Sequence, residues 1–222
     1  MSDASANFNC LAQSYRWLEY AAFGHSLERC RFDLLRWLGN AQRVLVLGEG
    51  DGRFVAELIR QNPTVHVDCV EGSARMIDCA RARLPRAAQV TFHHADACTW
   101  EFPKARYDAV VTCFFLDCFS EETLARLIPS IAASIRPGGD WLVAEFRQPR
   151  KGIPALRARL WLAAMYYFFR RATQLEARCL PKWEGILRDL GAVAGETIDR
   201  QSGLLRSMQW YWDGNGSQTQ VK

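Results

Sequence analysis

The stretch Val44-Leu45-Val46-Leu47-Gly48-Glu49-Gly50-Asp51-Gly52-Arg53-Phe54 organises this 222-residue chain. Its four leading apolar residues predict a strand that is buried on both faces. The three alternating glycines predict a tight turn whose backbone a ligand can approach closely. Apolar residues at helical spacing follow directly. The turn therefore leads into a helix N-terminus, where free backbone N–H groups favour polar or anionic ligands, and it indicates a nucleotide-type site.

Two further strand patterns follow, and each leads into an acidic residue. Residues 65–70 are mostly apolar and run into Glu71, nineteen positions after Gly52. An acidic residue at the end of the second strand can accept hydrogen bonds from both hydroxyls of an adenosine ribose. The third pattern, residues 90–94, leads into Ala95-Asp96-Ala97. A carboxylate at that position could accept a hydrogen bond from an adenine amino group.

In these motifs the chain resembles a class I S-adenosylmethionine (SAM) dependent methyltransferase. The motifs that carry the resemblance are, in chain order, Val44 to Gly52, Glu71-Gly72-Ser73 with Met76, Ala95-Asp96-Ala97, Tyr107-Asp108-Ala109-Val110-Val111 and Ile135-Arg136-Pro137-Gly138-Gly139. Five motifs in the family's order are far more specific than any single one. The segment Leu11-Ala12-Gln13-Ser14-Tyr15 is also similar to the entry segment of the branch that includes ubiquinone and menaquinone C-methyltransferases.

The resemblance implies an α/β fold with a seven-stranded, mostly parallel Rossmann-like sheet and helices on both faces. It also implies an N-terminal helical lid and a helical insertion after the fifth strand. We expect one methyltransferase domain over residues 1–222, made of a lid (1–40), a SAM-binding core (41–146), a basic and aromatic insertion (147–180), a closing helix and strands (181–213) and a flexible tail (214–222).

The family likeness further implies which residues bind SAM. The glycines approach the methionine part, Glu71 holds the ribose, and Asp96 with Ala97 selects adenine. The full set of candidate cofactor-binding residues is Tyr15, Gly48, Glu49, Gly50, Gly52, Glu71, Gly72, Met76, Asp96, Ala97 and Cys113. One position departs from the family: Val46 stands where the first strand usually carries an acid. Glu49 or Asp51 could supply that charge near the methionine amino group.

The run from Thr112 to Phe119 follows the fourth predicted strand and is expected to form one wall of the active site. It lacks the Asn/Asp-Pro-Pro-aromatic motif of enzymes that methylate nucleobase amines, which disfavours such an acceptor. Asp117 in this run is the best-placed candidate for a catalytic general base. Methyl transfer can also proceed by positioning and desolvation alone. The sequence therefore predicts O- or C-methylation of a small, hydrophobic acceptor, with or without a base.

Three local questions stay open at this level. Strand alternation directs only one of His93 and His94 towards the pocket. Tyr15 and His25 either face the substrate or serve the packing and start of the lid helices.

Composition excludes several other classes of protein. The apolar fraction of 49% and the charged fraction of 23% are ordinary for a soluble domain. Eight cysteines occur without a C-x-x-C pair, which favours a reducing cytoplasm over disulfides or zinc, and we predict no metal site. The first residues are polar and do not resemble a secretory signal. We therefore expect a cytoplasmic protein.

The segment from Arg147 to Arg171 contains seven cations and no acidic residue. It encloses ten apolar residues, 160–169, which as a helix would span about 15 Å, half of a bilayer core. The segment could cap the substrate side of the sheet. Its aromatic residues could instead line a hydrophobic pocket, with the arginines binding an anionic head group. In a third hypothesis it rests on an anionic membrane as a peripheral contact.

Three other interpretations of the sequence involve a different partner or a different activity. The formal net charge of +4 is modest, so nucleic acid is a poor candidate partner. A non-catalytic SAM-fold protein that binds a partner or a membrane surface is one alternative. A nicotinamide-dependent oxidoreductase is another, although Phe54 and Val55 follow Gly52 where G-x-G-x-x-G would require a glycine three residues on.

Overall fold

The computed structural model describes residues 24–147 and 180–212. Helix α1 (Ser26–Asp33) continues into a 3₁₀ turn (Leu34–Trp37) and precedes the sheet. The sheet strands are β1 (Arg43–Leu47), β2 (His66–Glu71), β3 (Val90–His94), β4 (Tyr107–Cys113), β5 (Ile135–Phe146), β6 (Val193–Arg200) and β7 (Leu205–Tyr211). Between them lie α2 (Arg53–Gln61), α3 (Ala74–Arg83), α4 (Glu121–Ser134) and α5 (Trp183–Asp189).

The seven strands form one sheet in the order β3-β2-β1-β4-β5-β7-β6. Strands β1 to β5 run parallel, and β7 is antiparallel to both β5 and β6. This arrangement confirms the predicted mostly parallel Rossmann-like sheet and its closing antiparallel pair. The chain order places the carboxyl ends of β1, β2, β3 and β4 at one edge of the sheet, where ligands bind in folds of this kind.

Two apolar cores cover the two faces of the sheet. Val44 and Val46 of β1 belong to one core, which includes residues of α1 and α2. Leu45 and Leu47 belong to the other, which includes residues of α4 and α5. Strand β1 is therefore buried on both faces, as its run of apolar residues predicts. Within the described ranges, no helix is long and apolar enough to cross a bilayer.

The Pro137-Gly138-Gly139 motif resembles a turn that precedes the fifth strand in the family, but here it lies inside β5. Pairing with β4 passes from Tyr107↔Ile135 directly to Ala109↔Asp140, so the motif forms an irregularity in the ladder. Gly138 has φ of +75°, which glycine adopts without strain. A Cβ on Gly139 would lie 2.7 Å from the carbonyl oxygen of Asp108, so only glycine allows the strands to stay in register there.

Polar contacts bind helix α1 to the antiparallel strands β6 and β7. Arg200 donates through Nε and Nη2 to the two carboxylate oxygens of Asp33, each at 2.6 Å. Ser207 of β7 donates to the carbonyl oxygen of Cys30 at 2.8 Å. The paired Arg–carboxylate geometry is the strongest form of ion pair in proteins. Helix α1 is thus bound to strands β6 and β7, which come much later in the sequence.

Replacing Asp33 by alanine is expected to lower the free energy of unfolding by about 1.5–3 kcal/mol, because both bonds to Arg200 are lost. Thermal or urea unfolding measures the change. Asp78→Ala is the matched control: this aspartate is 77% exposed and lies 3.9 Å from Arg81. The control should change stability by no more than about 0.5 kcal/mol. Equal losses of stability in the two variants would show that the Asp33–Arg200 ion pair contributes no more than an exposed ion pair.

Candidate functional site

The glycine turn lies at the carboxyl edge of the sheet, directly beside the end of β2. Leu47 pairs with Val70, and the N–H of Gly48 donates to the carbonyl oxygen of Val70 at 3.0 Å. The N–H of Ala95 donates to the carbonyl oxygen of Glu71 at 3.2 Å, which brings the segment after β3 to the same edge. The structure therefore brings the three predicted cofactor motifs together.

The three glycines of the turn meet different surroundings. Gly48, Gly50 and Gly52 have φ of +65°, +69° and +86°. A Cβ on Gly48 would lie 2.6 Å from the ring of Phe115, and one on Gly52 would lie 2.5 Å from the Cα of Ala80 in α3. Among the described residues, no atom lies within 4 Å of a Cβ placed on Gly50. Packing therefore requires glycine at positions 48 and 52, whereas the described part of the chain leaves the backbone of Gly50 open to a ligand.

Glu71 is bonded to the turn and to the start of α3. Its Oε2 accepts the N–H of Gly50 at 3.0 Å, and its Oε1 accepts the N–H of Ser73 at 2.9 Å. Burial raises the pKa of Glu71, while the backbone N–H groups of Gly50, Ser73 and Gly72 oppose that rise. A carboxylate offers about four acceptor positions, so these bonds orient the group and leave capacity for hydroxyl donors.

The side chains of Glu49 and Asp51 turn in different directions. Asp51 is bound to Arg53 at 2.9 Å and to Arg83 at 3.0 Å, so two cations already neutralise it. Glu49 accepts the N–H of Val55 at 3.1 Å, at the N-terminal turn of α2. Burial raises the pKa of Glu49 to about 8 against the opposing charge of Arg31. Glu49 is therefore mostly protonated near neutral pH without a ligand, and a cation bound beside it would favour its ionised form.

Val46, the position at which the family usually has an acid, is 1% exposed and packs in the core beneath α1 and α2. An ionised side chain there would have to leave the core or bind a partner, because burying an unpaired charge is costly. The apolar residue at this position fits the apolar surroundings that the structure gives it.

The residues predicted at the adenine end lie after β2 and β3. Asp96 is exposed, and its Oδ1 accepts the N–H of Cys98 at 2.9 Å, while Ala97 is buried. His94 contacts the carbonyl oxygen of Gly72 at 3.1 Å. His93 instead points to Asp68, with 3.3 Å between Nε2 and Oδ1. His94 is thus the histidine nearer to the cofactor motifs.

Met76 and Ser73 form the start of α3 next to these residues. The Met76 N–H donates to the Ser73 hydroxyl at 3.3 Å, which makes Ser73 the N-cap of the helix, and the Met76 side chain is buried. The role of Met76 in binding the cofactor stays a prediction.

The segment after β4 lies at the carboxyl edge of the sheet, and its role as one wall of the active site stays a prediction. Cys113 ends the strand, Phe114 has φ of +52°, and Leu116–Cys118 is a 3₁₀ turn. Asp117 in this turn is 6% exposed, and burial raises its pKa to about 6. The Cys118 thiol donates to Asp117 at 3.7 Å. A buried carboxyl that titrates near neutral pH suits a general base.

Two residues near this edge were not predicted from the sequence. Arg31 of α1 lies 5.2 Å from the centre of the Phe114 ring and opposes the raised pKa of Glu49. Glu145 near the end of β5 is 1% exposed and accepts N–H groups of the segment after β4. The sequence does contain a signal for Glu145, because it is an acidic residue within the apolar run Trp141 to Phe146. No sequence pattern singles out Arg31.

Several predictions lie outside the described residues. Tyr15 and the entry segment precede residue 24, and the basic aromatic segment is described only at Arg147, whose N–H donates to Leu204 at 2.7 Å. The hypotheses on the lid, the insertion and the tail therefore stay predictions.

A sequence model described as a methyltransferase domain matches residues 44–139. The demethylmenaquinone methyltransferase of Deinococcus radiodurans is 28% identical over 121 residues, which are 54% of this chain and 49% of that protein. The trans-aconitate 2-methyltransferase of Azoarcus sp. is 32% identical over 134 residues, 60% of this chain and 49% of that protein. This chain thus spans about half the length of both relatives.

Solved structures share the fold at low sequence identity. A mitomycin 7-O-methyltransferase aligns with a TM-score of 0.68 and 15% identity, covering 93% of this chain and 60% of that one. The 1,6-didemethyltoxoflavin-N1-methyltransferase of Burkholderia thailandensis, solved with S-adenosylhomocysteine, gives 0.65 and 18%, covering 94% and 87%. The [4+2]-cyclase SpnF gives 0.63 and 18%, covering 83% and 81%.

The sheet order and the glycine turn define a Rossmann-like α/β protein with a nucleotide-type site at its carboxyl edge. Together with the matching sequence model and relatives, they assign the chain to the class I SAM-dependent methyltransferase family, which confirms the resemblance found in the motifs.

Gly52→Ala is expected to destabilise the protein by about 2 kcal/mol or more, because its Cβ would collide with backbone of α3 and its φ is positive. Gly50→Ala is the matched variant, with a similar φ but open space around the new Cβ. It should lose less stability, measured by thermal unfolding. Equal losses would mean that the contact with Ala80 is not what requires glycine at position 52.

Glu49→Gln is expected to change how stability depends on pH. The raised pKa of Glu49 means that the folded state keeps a proton that the unfolded state releases between pH 4.5 and about 8. This contribution is complete below pH 4.5 and is lost as the pH rises towards 8. The melting temperature of the variant relative to wild type should therefore rise from pH 5 to pH 8. A difference in melting temperature that stays constant from pH 5 to pH 8 would show that the pKa of Glu49 is not raised.

Proposed function

We propose that this chain binds SAM at the carboxyl edge of β1, β2 and β3 and transfers its methyl group to a small, hydrophobic acceptor by O- or C-methylation. The observation that carries the proposal is the Glu71 carboxylate held against the open backbone of Gly50. This arrangement sets acceptors for ribose hydroxyls beside a turn that a ligand can approach. Membership of the methyltransferase family supports the same conclusion.

The residues at this edge fit the chemical groups of SAM. Glu71 has acceptor capacity for the ribose hydroxyls, and Asp96 with Ala97 lies after β3 for the adenine. Glu49 is the candidate partner of the methionine ammonium, because Asp51 is already paired with two arginines. When bound, SAM supplies an activated methyl group on a sulfonium.

The segment after β4, which is the proposed acceptor side, is apolar and aromatic. The rings of Phe115 and Phe119 lie 4.9 Å apart and pack against one core, whereas those of Phe114 and Phe146, at the same separation, belong to the core on the other face of the sheet. Aromatic rings along this segment favour a hydrophobic acceptor. Asp117, with its pKa near 6, would take the proton that leaves the acceptor oxygen or carbon as that atom bonds to the methyl carbon.

Glu71→Ala is expected to weaken binding of SAM and of S-adenosylhomocysteine by about tenfold or more, because a charge-assisted hydrogen bond is worth about 1.5–3 kcal/mol. Isothermal titration calorimetry of wild type and variant measures this change. Glu57→Ala is the control, since Glu57 lies on α2 and is bound to Arg60. Its affinity should match wild type. An unchanged affinity in Glu71→Ala would remove the cofactor assignment.

Methyl transfer itself is tested by a screen with SAM labelled on its methyl carbon. Quinone precursors, lipids and phenolic acids are the acceptor classes to examine, in wild type and in Asp117→Asn. Because a cyclase shares this fold, binding of SAM alone would not establish transfer. Label recovered in an acceptor supports the proposal. Tight binding without transfer to any of these classes would favour the non-catalytic alternative.

A further inference from the structure

Glu145 is a buried carboxyl inside an otherwise apolar strand end. It lies between Ala144 and Phe146 and is 1% exposed. Its Oε1 accepts the N–H of Phe115 at 2.9 Å and the N–H of Leu116 at 2.7 Å. A carboxyl in such surroundings is costly unless hydrogen bonds compensate for the lost water. The two bonds join β5 to the segment that follows β4.

The segment that Glu145 holds is in contact with the glycine turn. The ring of Phe115 fills the space where a Cβ of Gly48 would be, at 2.6 Å from its Cδ2. Phe114, one residue earlier, is in the left-handed region with φ of +52°, where non-glycine residues are uncommon. External bonds are needed to keep a segment in such a conformation. The contacts thus run from Glu145 through Phe115 to Gly48.

The second oxygen of Glu145 has a different environment. Among the described residues, Oε2 is buried without a hydrogen-bond partner. Burial and the neighbouring charge of Asp117 raise the pKa of Glu145 well above its usual range. Cys118, Cys113 and Cys30 are the other titratable groups that sense its charge. Arg206, its cross-strand neighbour on β7, is bound to Asp199 instead. Burial and that neighbouring charge therefore favour the protonated form of this carboxyl.

We propose that Glu145 is a positioning residue of the SAM pocket, whose hydrogen bonds hold residues 115–117 so that Phe115 packs on Gly48 and Asp117 stays buried beside the pocket. The role in the pocket rests on the proposed function, whereas the role in holding the segment does not. An apolar side chain could be buried at this strand position at a lower free-energy cost than a carboxyl. The hydrogen bonds to Phe115 and Leu116 therefore explain why a carboxyl stands there.

The test compares Glu145→Ala with Glu145→Gln. Glutamine keeps an oxygen for the two N–H groups and resembles the neutral carboxyl in size and charge, whereas alanine removes the acceptor. Asp108→Ala is the matched control, because Asp108 accepts the N–H groups of Gln42 at 2.5 Å and Arg43 at 3.0 Å at the opposite edge of the sheet. Hydrogen–deuterium exchange of the ligand-free proteins and calorimetric titration with S-adenosylhomocysteine are the two measurements.

In Glu145→Ala we expect exchange across residues 114–118 to rise by about tenfold or more and the affinity for S-adenosylhomocysteine to fall by about tenfold. Glu145→Gln should stay within about threefold of wild type in both measurements. Asp108→Ala should lower the melting temperature without changing the affinity or the exchange of residues 114–118.

Unchanged exchange in Glu145→Ala would overturn the proposal, as would losses in Glu145→Gln as large as those in Glu145→Ala. The exchange measurement needs no ligand. If wild type failed to bind S-adenosylhomocysteine, the proposed function would fail while the exchange data would still decide whether Glu145 holds the segment. If wild type bound but Glu145→Ala bound equally well, the role in the pocket would be rejected and the cofactor site would remain.

Discussion

The hydrogen bond from the Gly50 N–H to the Glu71 carboxylate is the constraint on which the site depends. It links the turn after β1 to the end of β2, two strands that are already neighbours in the sheet. The bond requires the left-handed φ of Gly50, and it fixes a carboxylate that burial would otherwise drive away from its charged form. One backbone conformation thus determines both the shape of the turn and the position of its acid.

Four acidic side chains share this edge, although the whole chain has a formal net charge of +4. Burial raises the pKa values of Glu49, Glu71, Asp117 and Glu145. A cationic ligand would favour their ionised forms, since opposite charges stabilise each other most where water is excluded. A sulfonium cofactor carries one more positive charge than its demethylated product. At the proposed site, this extra charge would favour binding of the cofactor over binding of its product.

Most of the fold and the meeting of the three candidate cofactor motifs at one edge of the sheet were predictable, because their signals are local. The glycine turn, Glu71 and the Ser73 cap each act on residues within a short stretch of chain or on the adjacent strand. The pairing of Asp51 with Arg83 was not predictable, since the two residues lie 32 positions apart in the sequence. The role of Glu145 depends on Phe115, 30 positions away, and on how β5 pairs with β4.

The sheet and the segment after β4 determine different properties of the site. The sheet and its turn are common to methyltransferases and to a cyclase, so they do not determine which reaction follows binding. The chemistry depends on the side chains that meet the acceptor. In the proposed site these are the side chains of the segment after β4, including Asp117 with its pKa near 6, beside Glu145, whose pKa burial raises well above its usual range. Because the protonated form of Glu145 is favoured, Asp117 is the carboxyl of this pair that would take up a proton near neutral pH, and the proposed acceptor releases a single proton.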